Sequence, residues 1–150
     1  MRTLLRTILQ GLGIRSSLEC ADAASAFEIL QETSVDLILV DHRLPDLTGT
    51  EFVHLLRRAD DNPNVMAPIV MVTAHADREH VNAARNAGVD EFLVKPVTAK
   101  AVAERIRAVT ERRRLFIKAK GYIGPDRRRQ ESAKYTGPLR REIDKTEATG

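Results

Sequence analysis

The sequence predicts an α/β fold, a doubly wound parallel sheet, and three observations carry that expectation. Residues 35–40 and 69–72 are short, almost uniformly apolar runs, too apolar for strands with one wet face, so they read as strands buried on both faces. Between such runs lie segments with apolar residues spaced three and four apart, the period of helices packed on a sheet. The runs stop on polar residues, Asp41, Thr73 and Lys95, at the carboxyl ends where open α/β sheets gather their ligands.

Taken in order, Leu4, Leu5, Ile8, Leu9 and Leu12 recur at helical spacing and Gly11 and Gly13 end the pattern, so the chain starts within or at the start of a helix. Residues 15–20 are a short, weak strand candidate. A second helix starts at Ala23 with Asp22 as its cap, and the strand ending at Asp41 follows. Phe52, Val53, Leu55 and Leu56 mark a third helix, which "DDNPN" breaks. The strand ending at Thr73 leads to a helix with Asp77 at its amino end and Gly88 at its close. "EFLVKPV" is a third short strand, stopped by Pro96. Thr98 caps a last helix with Ala101, Val102, Ile106 and Val109 inward, running on through Phe116. Right-handed crossovers then place Asp41, Thr73 and Lys95 together on one rim of the sheet.

Composition narrows the class. The 150 residues are 43% hydrophobic and 30% charged, ordinary for a soluble globular chain. No apolar run approaches the roughly 20 residues of a membrane span, and "MRTLLRTILQ" lacks a secretory cleavage site, so a cytoplasmic protein without membrane contact is expected. A single cysteine, Cys20, forms no internal disulfide and builds no cysteine metal site by itself. Charge is unevenly spread: residues 1–111 hold 12 Lys or Arg against 16 Asp or Glu, residues 112–150 hold 12 against 5. An acidic folded body with a basic tail is the natural reading.

Singly, each strand-end residue has an ordinary explanation: a loop cap, a strand-end hydroxyl, a solvated charge. As a set, Asp41 followed by "HRLPDLTG", Thr73 followed by Ala74, and Lys95 followed by Pro96 resemble the receiver (CheY-like) domain of bacterial two-component response regulators, a flavodoxin-like fold. The resemblance covers residues 1–115. It implies that Asp41 is the nucleophile that accepts a phosphoryl group from a histidine kinase or phosphotransfer protein, with Lys95 supplying an ammonium and Thr73 a hydroxyl to the phosphoryl oxygens. It also implies that Thr73 and Phe92 move together as a switch, that Pro96 follows a cis bond, and that signalling goes through contact with a downstream protein. Such a domain is a phosphoacceptor in a phosphorelay, not an enzyme in the usual sense.

One departure bears on this. Receivers begin with a buried central strand that ends in paired acids, which hold a magnesium ion beside the phosphoacceptor. "MRTLLRTILQGLG" aligns instead with the helix after that strand, leaving Asp41 and the backbone carbonyl of Arg43 as metal ligands, few for an ion that wants octahedral oxygen. Magnesium binding is therefore in doubt, and residues 15–20 lack a strand partner. Three explanations compete: a longer natural chain, a degenerate receiver that binds partners without phosphorylation, or a strand supplied by another chain or the tail. His42, His54, His75 and His80 show no metal spacing and read as surface or loop residues.

Residues 116–150 form a basic tail rich in Gly-Pro and Arg, with a near repeat at "YIGPDRR" and "YTGPLRR", expected to be extended or disordered. A solubilising role, an acidic protein partner and contact with nucleic acid are its readings. Too few apolar residues remain for a helix-turn-helix, so sequence-specific nucleic-acid binding is not expected. A nucleotide-binding enzyme is disfavoured because no glycine-rich phosphate loop follows any strand.

Overall fold

Strand β2 (Ile69–Thr73) is buried at all five residues, as a run of β-branched and apolar side chains must be when both faces of a sheet are covered. In the structure, a computed structural model that describes residues 2–127, β1 (Ile38–Asp41) and β3 (Glu91–Val94) flank it in parallel, in the order β1-β2-β3. The register aligns Asp41 with Val72 and Thr73 with Val94. The carboxyl ends of the three strands are therefore level.

Alternation along the strands divides the core into two layers. Val70, Val72 and Leu93, with the half-buried Leu37 and Leu39, pack against Leu5 and Leu9 of α1 (Arg2–Gly11) and Val102 and Val109 of α5 (Ala99–Thr110). Ile69, Met71 and Val40 face the other way, against α2 (Ala23–Glu32), α3 (Gly49–Arg57) and α4 (Arg78–Ala87). There Phe27 and Phe52 meet with ring centroids 4.8 Å apart. Side-chain caps start the helices where the sequence has them: Asp22 accepts the Ser25 N–H, Asp77 the His80 N–H and Thr98 the Ala101 N–H. Gly88, left-handed at φ 116°, ends α4. No helix among the described residues is long and apolar enough to cross a membrane.

Three expectations are corrected. Residues 15–20 form no strand, because a lone extended segment gains no ladder and no strand among the described residues stands beside it. Strand β1 is covered on both faces, yet Ile38, Leu39 and Asp41 are only half-buried, because β1 is an edge strand whose outer side carries no partner among the described residues. The third correction concerns the tail.

Helix α5 stops at Thr110 instead of running on through Phe116, and residues 116–125 are not an extended tail. They form an antiparallel hairpin of β4 (Phe116–Ala119) and β5 (Tyr122–Pro125), joined through Lys120 and Gly121. The buried Ile117 and Tyr122, with Ala119 packed against them, give it a small core. It is fastened to the body at Asp90, which receives the Arg113 guanidinium at 3.1 Å on its carboxylate and that of Arg114 on its carbonyl. Strand β5 rests on α4. At Gly124 a Cβ would come within 2.7 Å of the Gly88 Cα, so this close approach requires glycine on both sides. The rest of the basic stretch, residues 128–150, lies outside the described residues, and with it the second copy of the near repeat.

Candidate functional site

The site is built where the three parallel strands end. Asp41 is the last residue of β1. Its Oδ2 lies 3.0 Å from the Lys95 ammonium, and its Oδ1 accepts the Arg43 N–H at 3.0 Å. Lys95 is placed by its own N–H, which donates to the Thr73 carbonyl at 2.9 Å and so extends the β2–β3 ladder by one residue. The Lys95–Pro96 peptide bond is cis. The Asp41 and Lys95 side chains are 27% and 31% exposed, enough for a partner group to reach them.

Thr73 ends β2 between the other two strands and is buried. Its hydroxyl accepts the His75 N–H at 3.0 Å and donates to the His75 carbonyl at 3.1 Å. The structure thus brings Asp41 and Lys95 into direct contact and places Thr73 at the adjoining strand end, with its hydroxyl turned to the following loop. Phe92 is half-buried and packs against the α2–α3–α4 layer.

Helix α3 closes the site from below. Thr48 and Glu51 form a reciprocal capping box, and Gly49 donates its N–H to the His42 carbonyl at 2.7 Å. A Cβ on Gly49 would collide with the Asp41 carbonyl oxygen. The glycine is therefore what lets α3 start against the end of β1. Asp46, in the same loop, accepts the Ala23 and Ala24 N–H groups at 3.1 Å each. These backbone donors hold its carboxyl below the usual carboxylate range.

Histidines were missed as neighbours of the site. The His42 and His80 rings meet edge to face at 5.5 Å, and His75 stacks on His80 at 5.7 Å. His80 Nδ1 lies 2.6 Å from Asp77 Oδ2. Burial, reinforced by His80 and Arg43, pushes the His42 imidazole below its usual pKa. The signal was present in the sequence: His42 follows one strand end, His75 follows the next by two residues, and His80 opens the helix after that loop.

The residues do not make a magnesium site by themselves. Both Asp41 oxygens already have donors, and Glu19, which lines the same groove, is drawn to Arg6 at 3.5 Å. Among the described residues no set of three His, Cys, Asp or Glu could hold a metal ion. The Arg43 carbonyl adds one oxygen to a centre that needs close to octahedral coordination.

Known proteins resemble this chain in sequence and in fold. A family model for the response regulator receiver domain matches residues 1–107. The chain is 33% identical over 112 residues to chemotaxis protein CheY of Pseudomonas aeruginosa, spanning 75% of this chain and 89% of that one. It is 30% identical over 112 residues to CheY-3 of Vibrio cholerae, spanning 75% and 85%. Among solved structures, a CheY-like receiver domain protein from Methanospirillum hungatei superposes with a TM-score of 0.63 at 26% identity, covering 74% of this chain and 85% of that one. The receiver domain of a sensor histidine kinase from P. aeruginosa, with a magnesium ion coordinated in its active-site cleft, gives 0.60 at 28%, covering 71% and 84%. The family model, the sequence relatives and the solved structures agree, and this chain belongs to the response regulator receiver domain family.

Proposed function

We propose that this chain is a single-domain response regulator of a two-component phosphorelay, working in the cytoplasm, that accepts a phosphoryl group on Asp41 and passes the signal on by protein contact. The donor in this reading is the phosphohistidine of a histidine kinase or phosphotransfer protein. An Asp41 carboxylate oxygen attacks phosphorus, a P–O bond forms, the P–N bond breaks, and the imidazole leaves with the bonding pair. The observation that carries the reading is the Lys95 ammonium at 3.0 Å from Asp41 Oδ2. It is held there by the β2–β3 ladder, where a fixed cation meets the charge that gathers on the transferring oxygens. Thr73, a neighbouring buried hydroxyl, is the group that would turn to the bound phosphoryl, and Phe92 would follow it.

Members of this family are phosphoacceptors and use magnesium. Because the residues described above do not complete an ion site, no step is routed through one here. A second reading, a receiver that binds partners without phosphorylation, is favoured by that same incompleteness.

Incubating the full chain with a small acyl phosphate, with and without magnesium, and weighing the intact protein separates the two. The first reading expects a phosphoryl adduct that mapping places on Asp41, absent from Asp41→Asn and slowed in Lys95→Met. An unlabelled protein in both conditions, or a label unaffected by Asp41→Asn, would leave the interaction module.

A further inference from the structure

Three consecutive arginines follow α5 at the end of the sheet opposite Asp41. Arg112, Arg113 and Arg114 line a recess of about 280 Å³ together with Asp90, Glu91 and Val109. They lie beyond residue 107, where the receiver match ends. Both carboxylates of the recess are already engaged. Asp90 Oδ1 accepts the Arg113 Nε–H at 3.1 Å, and its Oδ2 accepts an Arg57 N–H and the Ile69 N–H at 2.9 Å each. Glu91 pairs with Arg105 at 3.6 Å.

Positive charge is left over. Arg114 donates to the Asp90 carbonyl, not to a carboxylate, and neither it nor Arg112 forms an ion pair among the described residues. Arg113 Nη2 is buried and has no acceptor among the described residues. The guanidinium carbons of Arg57 and Arg113 stand over the same Phe116 ring, 5.1 and 5.6 Å from its centroid, so like charges are crowded here. The guanidinium groups of Arg57, Arg105, Arg112, Arg113 and Arg114 thus share the carboxylates of Asp90 and Glu91 alone.

We propose that this recess binds the dianionic phosphate group of a small phosphate monoester, with Arg112 and Arg114 as its ligands and Arg113 adding to the field. A guanidinium presents parallel N–H donors that match two phosphate oxygens at once. A surplus of more than one positive charge favours a dianion over a single carboxylate. The bounded recess favours a small molecule over a polynucleotide, whose phosphates are monoanionic and are followed by an extended track of cations. Because Arg113 and Arg114 also hold the segment leading into the hairpin against Asp90, an anion that relieves their mutual repulsion steadies that attachment. The site lies away from Asp41, goes beyond phosphoryl transfer and holds whether or not Asp41 is modified.

The test titrates the full chain, without phosphodonor or magnesium and at constant ionic strength, with ribose 5-phosphate and separately with dimethyl phosphate. Amide NMR shifts are followed residue by residue. Ribose 5-phosphate should give saturable shifts at residues 108–114, with a Kd of about 1 mM or tighter. Dimethyl phosphate, a monoanion, should bind about fivefold more weakly or worse. Arg112 is exposed, so Arg112→Gln should keep the thermal midpoint while weakening ribose 5-phosphate about three- to tenfold. Arg107→Gln, on α5 outside the recess, should leave the affinity unchanged. Shifts that never saturate, or an equal loss in Arg107→Gln, would reduce the effect to diffuse screening and overturn the site; shifts centred on Lys95 would move it to the rim that bears Asp41. Equal binding of dimethyl phosphate, or a short DNA duplex that shifts residues 108–114 at lower concentration, overturns the choice of occupant in favour of a nucleic-acid backbone.

Discussion

At the scale of single residues, the site depends on close packing as much as on charge. Asp41, Thr73 and Lys95 could be read from the sequence because each ends an apolar run, and a parallel sheet brings such ends together. The direction of the Thr73 hydroxyl could not be read, since it is decided by the path of the loop at His75. Nor could the need for Gly49, whose missing side chain makes room for the Asp41 carbonyl. Because that neighbour is backbone, Gly49→Ala has no flexible group to push aside. The start of α3 must draw back from β1, and overpacking of this kind costs about 1–3 kcal/mol. A urea titration should show the midpoint fall. Labelling of Asp41 by an acyl phosphate should fall further than the loss of folded protein accounts for.

At the scale of elements, helices and strands of the α/β units were legible because caps and periodicity agree. Asp22, Asp77 and Thr98 stand immediately before helical apolar spacing, and Gly88 immediately after it. The β4–β5 hairpin was hidden for a physical reason: its strands are four residues each and bury one large side chain apiece, Ile117 and Tyr122, too little pattern to outweigh the Gly-Pro and arginine around them. The Tyr122 hydroxyl donates to the Pro125 carbonyl at 2.6 Å inside this small core. Burial raises its pKa to about 12, against the pull of Arg127 and Arg114. A folded pKa above the unfolded value near 10 means that the hairpin's stability is whole below about pH 10 and drains away as pH rises toward 12. Tyr122→Phe removes the hydrogen bond, at a cost of about 1 kcal/mol, and with it the titrating group. Amide exchange of residues 116–125 should therefore be faster in the variant at neutral pH but lose the wild-type acceleration above pH 10.

At the scale of the whole molecule, one buried cation joins parts that are distant in sequence. Arg57, at 0% exposure, donates to the carbonyls of Val65, Ala67 and Gly88 and to the Asp90 carboxylate at 2.9 Å. Asp90 in turn accepts the Ile69 N–H and the Arg113 guanidinium. The end of α3, the start of β2, the end of α4, the start of β3 and the segment leading into the hairpin therefore meet in one polar network, at the end of the sheet opposite Asp41. Sequence periodicity counts Arg57 as the polar end of a helix, because nothing local shows that five carbonyl and carboxylate contacts await it in the fold. Desolvation pulls its pKa down to about 10, with Asp90 opposing that shift, so the guanidinium stays charged at neutral pH. Arg57→Met keeps the volume but leaves three carbonyls without a donor and Asp90 with Arg113 as its remaining cation. Removing one partner of a buried pair costs about 3–5 kcal/mol, a large share of a small domain's stability. Arg57→Lys keeps the charge but cannot reach the diverging carbonyls with one ammonium, and should recover less than half of the loss. Thermal unfolding followed by circular dichroism decides the matter: a wild-type-like midpoint in Arg57→Met would show that the network is incidental to folding, and full rescue by Arg57→Lys would show that charge alone, not the planar fork of donors, ties these elements together.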